Sequence, residues 1–416
     1  MSMARTLELF KPDDVWNTDL SVEITNICAK WEPPFYFINA EKARNNIREI
    51  RRQMGAPLRV AYTVKTNPWL TQFLSDEVEY FTICSEGELD LCKRCSVHSD
   101  KIILDGVLRT KSLLSKALEY GVSRFCIDSK EQMQQLFDAV STDQEVSVLF
   151  RISSGNQFGL ELSDIPICLE LCTQKNGLHF VGIQYYPGTQ RSSKNQVQRE
   201  LDRLEQCLEY FRTLEGVSVQ EVQFGAGLGV PYFLGECEIP YLDAFMQCRQ
   251  FIKRLQRDYE VTYEAGRIVA ATSGTYVTQV FEEKRRGDKK LLFCLGGTSH
   301  LQYPGGILGL RTPKVDGIYA HPSDRFEPYS ICGSLCSEDD LLAKECLLDA
   351  QITPGDLLIF HCVGAYSPVL TSPMFLMMEL PHILVYNKQS EIVSPSEAVR
   401  CVRRNGFFFD LFYDGM

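Results

Sequence analysis

This sequence of 416 residues has few histidines, fewer basic than acidic residues and no long apolar run. Lysine and arginine number 43 against 54 acidic residues, which gives a formal net charge of −11. Because binding to nucleic-acid phosphates needs a basic face that would show in this total, we expect no nucleic-acid partner. No apolar stretch is long enough to span a membrane, so we expect no membrane association.

The sixteen cysteines are scattered along the chain, and no secretory signal is recognised. We therefore expect reduced thiols in a cytoplasmic protein rather than a disulfide framework. Cys92 and Cys95 form one Cys-x-x-Cys pair, but neither a second pair nor suitably spaced histidines follow it among the six present. We predict no metal site, because a structural zinc needs four such ligands.

The composition, with 44% apolar and 23% charged residues, is that of a soluble globular protein with a large core, and the length favours two domains. From Leu58 to Arg267, short β-rich runs alternate with amphipathic helical segments such as Lys111 to Tyr120, Lys130 to Val140 and Gln196 to Leu214. The β-rich runs are Leu58 to Lys65, Glu79 to Cys84, Lys101 to Gly106, Arg124 to Ser129, Val146 to Ile152, His179 to Tyr186, Glu221 to Gly227 and Thr262 to Arg267.

Eight parallel strands with intervening helices predict an α/β barrel. A doubly wound open sheet is the alternative, but its phosphate-binding glycines normally follow the first strand, whereas here they follow the seventh. Beyond about Ala270 the pattern changes to β-rich segments and turns, which predicts an all-β domain. The β-rich segments are Gly274 to Glu283, Lys290 to Gly296, Tyr329 to Cys336, Asp356 to Cys362 and His382 to Tyr386. We place the barrel at residues 34–270 and a β-sandwich domain at 1–33 and 271–416, to which a strand within Pro34 to Asn39 could add.

Lys65 closes the apolar run Val-Ala-Tyr-Thr-Val-Lys, and Glu264 and Arg267 close a later strand as Tyr-Glu-Ala-Gly-Arg. A lysine amine can form a Schiff base with an aldehyde, while a carboxylate and a guanidinium can bind a ring nitrogen and a phosphate. Each fragment alone is more often an ordinary strand end. Together they indicate pyridoxal phosphate as the cofactor.

The segment Phe-Gly-Ala-Gly-Leu-Gly at 224–229 closes the seventh predicted strand. Glycines at a strand end let backbone N–H groups approach a phosphate, although tight packing is the plainer explanation of such a segment. The candidate phosphate loop is Gly225, Ala226 and Gly227.

In these residues the chain resembles the fold-type III pyridoxal-phosphate decarboxylases, the family of ornithine, arginine and diaminopimelate decarboxylases. The resemblance runs in the same order from about Pro34 to Met374 and implies an alanine-racemase-like barrel. The matching segments are Lys65, Ser85 to Leu89, Gln157 to Leu160, Gly225 to Gly227, Glu264 to Arg267, Gly333 to Cys336 and Gly364 to Tyr366.

The resemblance implies a role for each matched residue. Lys65 would hold the cofactor, Glu264 would keep its ring nitrogen protonated, and Arg267, Tyr366 and the loop amides would fix its phosphate. Cys336 would come from the second subunit of a homodimer and return a proton to the substrate; the alternative is a small buried apolar residue that matches by chance, since the chain has sixteen cysteines. The expected cofactor-binding residues are Lys65, Arg151, Tyr186, Thr189, Gly225, Ala226, Gly227, Glu264, Gly266, Arg267 and Tyr366.

The chain departs from the family where substrates are recognised. Tyr186 replaces the ring-stacking histidine, and Leu295 replaces an aspartate. Ser337 stands where diaminopimelate enzymes keep an acid for the distal ammonium, and Tyr303 where they keep an arginine for the distal carboxylate. Because unpaired buried charges are costly, free diamino acids become poor candidates, although Glu338 and its acidic neighbours could replace the missing acid.

We therefore expect a dimeric α-decarboxylase acting on an amino acid with a neutral, modified or carrier-tethered side chain, with Lys65 and Cys336 catalytic and with Tyr303, Ser337 and Glu338 binding the substrate. Short segments around Gly188 and Val230 are similar to a secondary-metabolism subgroup, of which the butirosin-pathway glutamyl-carrier-protein decarboxylase is one member. An amino-acid racemase of the same cofactor class and a catalytically silent cofactor-binding homologue remain the alternatives.

Overall fold

The computed structural model describes residues 18–393, apart from 56, 108, 237, 238, 240, 305, 307, 388 and 389. The parts of the expected second domain at 1–17 and 394–416 lie outside the described residues. The helices are α1 Thr18–Cys28, α2 Ala40–Met54, α3 Thr71–Leu74, α4 Glu86–Arg94, α5 Lys111–Tyr120, α6 Lys130–Ala139, α7 Ile165–Gln174, α8 Lys194–Arg212, α9 Tyr241–Leu255 and α10 Arg267–Ala270.

Seventeen strands are described, and the first nine include those of the barrel. They are β1 Phe35–Asn39, β2 Arg59–Thr63, β3 Tyr80–Ile83, β4 Ile102–Leu104, β5 Arg124–Ile127, β6 Val146–Arg151, β7 Leu178–Tyr185, β8 Glu221–Phe224 and β9 Glu260–Ala265. The later strands are β10 Gly274–Arg286, β11 Lys289–Cys294, β12 Val315–Ile318, β13 Phe326–Cys332, β14 Leu341–Asp349, β15 Leu357–Phe360, β16 His382–Asn387 and β17 Ser390–Val393.

Strands β2 to β9 pair in parallel and in chain order, and β9 returns to β2 to close the barrel, with Val60 opposite Tyr263. The prediction of an eight-stranded α/β barrel is confirmed, and each of the eight β-rich runs contains or overlaps one of its strands. The strand interiors are almost wholly buried, because helices cover their outer faces and side chains fill the inside.

Serine and threonine residues start the helices that follow several barrel strands. In each case the side-chain oxygen accepts a hydrogen bond from the backbone N–H three residues later, which satisfies a group that the first helical turn leaves unpaired. These caps are Ser85 for α4, Thr110 for α5, Ser129 for α6 and Ser193 for α8. Helix starts fixed in this way keep the connections short, so the polar residues at the strand ends stay at the carboxyl end of the barrel.

The remaining strands form a mostly β unit, as the sequence predicts. Its sheet has the order β14-β13-β11-β10-β1-β16-β17, and β15 pairs with both β10 and β12. Strand β1 lies between β10 and β16, with Tyr36 opposite Tyr276 on one side and Ile383 on the other. The segment at 34–39 is therefore a strand of this sheet.

Among the described residues the chain divides into two compact units. One comprises 18–46, 230–236 and 267–393, and the other comprises 47–229, 239 and 241–266. The first contains the mostly β sheet and the second contains the barrel. None of the described helices combines the length and apolar character needed to cross a membrane.

Candidate active site

Lys65 lies on a single 3-10 turn, Val64–Thr66, immediately after β2. Val64 and Thr66 are buried, whereas Lys65 is exposed. The hydroxyls of Thr63 and Thr66 are hydrogen-bonded at 2.7 Å, which holds the turn closed. A Cβ on Gly266 would overlap both hydroxyls, so only glycine lets the end of β9 approach this turn so closely. The turn thus holds the backbone of Lys65 at the carboxyl end of the barrel strands.

Glu264, on β9, is a buried carboxylate held by two glutamine side chains. Its Oε2 accepts hydrogen bonds from Nε2 of Gln223 at 2.8 Å and from Nε2 of Gln184 at 2.9 Å. Burial raises the pKa of Glu264, and the nearby carboxylate of Asp105 raises it further, against the hydrogen bonds and the charge of Lys65. Such a carboxylate is suited to a partner that brings its own positive charge or proton.

Gln184, Gln223 and Asp105 also lie at this candidate site, although the sequence did not predict them. All three are buried, Gln184 and Gln223 within β7 and β8 and Asp105 directly after β4. A polar side chain in or just after a buried strand is the signal that could have identified them, since such groups need partners inside the protein. Gln184 and Gln223 bond Glu264 directly, and Asp105 is connected to it through Gln184.

Tyr186 and the glycine segment at 225–229 lie against each other. A Cβ built on Gly225 would come within 2.6 Å of two ring carbons of Tyr186 and within 2.8 Å of the carbonyl oxygen of Glu264. The backbone N–H of Gly225 donates to the carbonyl of Tyr185 at 3.2 Å. Glycine at position 225 is therefore what allows the tyrosine ring, the β8 strand end and the β9 strand to meet at one place.

The same glycine segment is bonded to the loop that follows Tyr186. Arg191 N–H donates to the carbonyl of Gly227 at 2.9 Å, and Gly229 N–H donates to the carbonyl of Arg191 at 3.1 Å. Gly227 has a φ of +64°, in the left-handed region that favours glycine. The adjoining loop carries Thr189, which is exposed. Two predicted phosphate-binding segments are thus joined at this edge.

Arg151 ends β6 and forms an ion pair with Asp128, whose Oδ2 accepts from Nη1 at 3.0 Å. The other oxygen of Asp128 accepts from the N–H of Gly159 at 2.9 Å, and the guanidinium lies 4.7 Å from the ring centre of Phe158. Burial acts to lower the pKa of Arg151, but the surrounding carboxylates, Asp105 first among them, raise it overall. Arg151 is a permanent cation at the barrel edge.

In the mostly β unit, Arg267 and Tyr366 come together. Arg267 is buried, and its guanidinium carbon lies 4.8 Å from the ring centre of Tyr366 and 5.5 Å from that of Tyr232. Its Nη1 donates to the hydroxyl of Tyr232 at 2.6 Å. Cation–π contacts of this kind fix a guanidinium without neutralising it, so it can still bind an anion.

The Gly-Ala-Tyr segment packs on the turn that follows α10. Gly364 N–H donates to the carbonyl of Ala271 at 3.0 Å, and a Cβ at Gly364 would overlap the backbone of Ala270 and Gly274. Tyr366 follows with a φ of +66°, which is unusual for a residue other than glycine. This backbone turn places the tyrosine ring beside Arg267.

Cys336, Ser337 and Glu338 form an exposed run after β13. A cavity of about 300 Å³ lies beside this run, and none of its lining residues carries a charge. They are Thr298, Ser299, Gln302, Leu335, Ser337, Ser372 and Phe375.

The acid at position 340 is committed to the protein itself. Oδ1 of Asp340 accepts from the backbone N–H and the hydroxyl of Thr298, at 2.7 and 2.9 Å. Its Oδ2 accepts from the N–H of Leu335 at 2.7 Å. Asp340 is 4% exposed, in contrast to the exposed Glu338 and Asp339. Asp340 is therefore already hydrogen-bonded within the protein, which leaves Glu338 and Asp339 as the neighbouring acids that could bind a distal ammonium.

Tyr303 is buried in an aromatic cluster. Its ring centre lies 5.7 Å from that of Tyr232 and 5.4 Å from that of Phe233. Its hydroxyl donates to the carbonyl of His361 at 2.8 Å. If Tyr303 contacts the substrate, as we predict, the ring rather than a charged group makes the contact.

The groups gathered at this site fit a phosphorylated pyridine aldehyde. The barrel unit alone supplies an amine at Lys65, a buried carboxylate at Glu264, an aromatic ring at Tyr186 and a segment whose glycines allow close approach. In fold and site the chain is a pyridoxal-phosphate-binding barrel protein with a mostly β second unit.

Comparison with known proteins identifies the family. The model of the pyridoxal-dependent decarboxylases, pyridoxal binding domain, matches residues 40–271, so the chain belongs to this family of decarboxylases. The diaminopimelate decarboxylase of Pseudomonas aeruginosa is 26% identical over 91% of this chain and 94% of its own. The L-glutamyl-[BtrI acyl-carrier protein] decarboxylase of Niallia circulans is 22% identical over 94% of this chain and 95% of its own.

Solved structures show the same fold. The lysine/ornithine decarboxylase of Vibrio vulnificus, complexed with putrescine, has a TM-score of 0.77 and 20% identity, covering 90% of this chain and 99% of its own. The diaminopimelate decarboxylase of Helicobacter pylori, complexed with L-lysine, has a TM-score of 0.77 and 18% identity, covering 91% and 98%. The chain is a decarboxylase that depends on pyridoxal phosphate, and its substrate is a separate question.

Proposed function

We propose that this protein removes the α-carboxyl group of an amino acid whose side chain is neutral, modified or tethered to a carrier protein. The observation that carries the proposal is the uncharged lining of the cavity beside Cys336, where Ser337 stands in place of an acid. Asp340 supports it, because both of its oxygens are already bonded to backbone or hydroxyl groups. Among relatives, the Niallia circulans enzyme acts on a glutamyl group carried by a protein.

Pyridoxal phosphate, when bound, supplies an electron sink for the bond between the α-carbon and its carboxyl group. Lys65 is proposed to hold the cofactor through its amine, and Glu264 to accept a hydrogen bond from the ring nitrogen. Tyr186 is proposed to pack on the pyridine ring of the cofactor, where relatives have a histidine. A tyrosine ring offers a similar face for stacking but lacks the titratable nitrogens of an imidazole.

For the phosphate, we propose the guanidinium of Arg267, the hydroxyl of Tyr366 and the backbone amides of the glycine segment, with support from Thr189, Gly266 and Arg151. The guanidinium of Arg267 contacts the rings of Tyr232 and Tyr366, and backbone N–H groups at a strand end can bind an anion. These residues orient the cofactor and take no part in proton transfer.

Cys336 is proposed to return a proton to the α-carbon after the carboxyl group leaves. Its exposure in the single chain is what a residue contributing to a second subunit's site would show, and we propose a homodimer with shared active sites. Ser337, Glu338 and Tyr303 are proposed to contact the substrate side chain.

The test is a substrate panel given to the full chain reconstituted with pyridoxal phosphate. Diaminopimelate, lysine, ornithine and arginine are compared with glutamine and with carrier-bound glutamate, and products are identified by mass spectrometry. Loss of a charged partner is worth about 2 to 5 kcal/mol, so we expect kcat/KM for each free diamino acid to be lower by roughly thirty-fold or more.

The panel also separates the alternatives. A free diamino acid that matches the best substrate contradicts the proposed selectivity. Inversion of the α-carbon without release of carbon dioxide indicates a racemase, and cofactor uptake without any turnover indicates a silent homologue. Lys65→Ala serves as the blank for uncatalysed decay.

A further inference from the structure

A second acidic side chain, Asp105, is buried in the barrel near Glu264, and none of the proposed roles uses it. Asp105 is 4% exposed and directly follows β4, where its N–H donates to the carbonyl of Ile83 at 2.8 Å. Its Oδ2 accepts from Nε2 of Gln184 at 3.4 Å. Its Oδ1 has no hydrogen-bond partner within the part of the chain that the structure describes. A buried carboxylate oxygen without a hydrogen-bond partner destabilises the folded state, so its presence indicates a functional role for Asp105.

One amide connects the two buried acids. Nε2 of Gln184 lies 3.4 Å from Oδ2 of Asp105 and 2.9 Å from Oε2 of Glu264, and this nitrogen carries two hydrogens. Gln223 donates a second hydrogen bond to the same oxygen of Glu264 at 2.8 Å. The two carboxylates therefore share a hydrogen-bond donor, and a change in the charge of Asp105 alters the ionisation of Glu264.

Other titratable groups surround this pair. Burial and the charge of Asp105 raise the pKa of Glu264, whereas the bonds from Gln223 and Gln184 and the charge of Lys65 lower it. Asp105 likewise contributes to the raised pKa of Cys84, after burial. The groups that interact with Glu264 or Asp105 from the surrounding elements are Lys65, Cys84, Glu88, Arg109, Cys126 and Arg151.

We propose that Asp105 is a positioning residue of the cofactor site, which sets the proton occupancy of Glu264 through its own charge and through the shared amide of Gln184. By this means it fixes the pH range in which the protein binds the ring of pyridoxal phosphate. The inference rests on the proposed placement of the ring nitrogen beside Glu264.

The physical reason is that a negative charge near a buried carboxyl group disfavours its ionisation, so the charge of Asp105 favours the protonated form of Glu264. A protonated ring nitrogen needs an ionised carboxylate as its acceptor. Asp105 delays ionisation of Glu264 as the pH rises, while the hydrogen bond from Gln184 favours the ionised form and advances it. The two residues therefore act on Glu264 in opposite directions, although they are bonded to each other.

Two substitutions exploit these opposite signs. D105N removes the negative charge at nearly constant shape and should move the ionisation of Glu264 to lower pH, by about one pH unit. Q184L removes the shared donor and should move the same ionisation to higher pH. Glu200→Gln is the matched control, because Glu200 is equally buried but lies on α8 and pairs with Arg191 and Arg203.

The readout is the full-length protein freed of cofactor, labelled with 13C at the glutamate carboxyl carbons and titrated by NMR. The Glu264 signal is assigned by its loss in E264Q. In parallel, the dissociation constant of pyridoxal phosphate is measured across pH for each variant. We expect the inflection to fall in D105N, to rise in Q184L and to stay in place in Glu200→Gln. If D105N does not fold, Asp105→Ser takes its place.

A shift of both D105N and Q184L in one direction, or of neither, overturns the inference, because general damage to the barrel gives no opposite signs. The proposed function fails separately. If E264Q binds the cofactor with the affinity and pH dependence of the unmodified protein, the ring nitrogen does not lie beside Glu264. If E264Q abolishes the pH dependence while D105N leaves it unchanged, only the role of Asp105 is wrong.

Discussion

Asp340 joins two loops that lie beside the uncharged cavity, and its replacement by asparagine should destabilise the protein measurably. The side chain is 4% exposed and accepts three hydrogen bonds, two from Thr298 and one from the N–H of Leu335. A Cβ on Gly297 or on Gly333 would overlap the carboxylate, so the group fits its space closely. Asp340 therefore has a structural task that an amide cannot fully perform.

The size of the effect follows from these bonds. A hydrogen bond to a charged group contributes about 1.5 to 3 kcal/mol, and an asparagine keeps only one accepting oxygen. Its NH₂ group must face either the N–H of Thr298 or that of Leu335, which replaces an attraction with a repulsion. A loss of about 2 to 3 kcal/mol lowers the melting temperature by roughly 4 to 12 °C for a unit of this size.

Asp339→Asn provides the control, because it makes the same change at the adjacent, exposed position. A surface change of this kind is worth within about 0.5 kcal/mol. Scanning calorimetry of the two variants and the unmodified full chain gives the comparison. Equal melting temperatures for both variants would refute the reasoning. So would a D340N protein of normal stability with a raised KM for a diamino acid, since Asp340 would then bind substrate instead of its own loops.

Three further outcomes are expected. Borohydride reduction of the loaded protein should fix the cofactor on Lys65, and peptide mapping that finds it on another lysine contradicts the assignment. Cys336→Ala should lower turnover at unchanged cofactor affinity, and mixing it with Lys65→Ala chains should restore part of the activity, whereas mixed dimers that form and stay inactive would disprove shared sites. Gly225→Ala should weaken cofactor binding measured by fluorescence titration, since its methyl group displaces the ring of Tyr186. Gly87→Ala controls for the added methyl group, because Gly87 is exposed and a Cβ there would meet only the Ser85 hydroxyl, at 3.9 Å.

The barrel could be predicted from sequence because its evidence is local. Each strand is a short apolar run buried on both faces, and each of several following helices begins with a serine or threonine that caps it. The polar residues that end these strands were found where a known motif contains them, as at Lys65 and Glu264. The roles proposed for them stay predictions.

Asp105, Gln184 and Gln223 were missed because their importance is not local. No spacing in the chain connects them, and only closure of the barrel brings Gln184 within hydrogen-bonding distance of both Asp105 and Glu264.

Strand β14 was missed for a different reason. Glu345 has a φ of +52°, and the register against β13 shifts near Tyr329 and Ile331, so the alternation that marks a strand is interrupted. Helix α1 and strands β12 and β17 were not predicted either.

Tyr303 stands where diaminopimelate enzymes keep an arginine, and the residues packed around it also differ from what an arginine would need. Tyr303 is 2% exposed, contacts the rings of Tyr232 and Phe233, and donates its hydroxyl to the carbonyl of His361. An arginine there would bury a guanidinium among aromatic rings, one of which, Tyr232, already contacts the guanidinium of Arg267. Two adjacent buried cations would repel each other. Restoring recognition of a distal carboxylate would therefore require repacking the whole cluster. This supports a neutral or conjugated substrate side chain more firmly than the identity of residue 303 does alone.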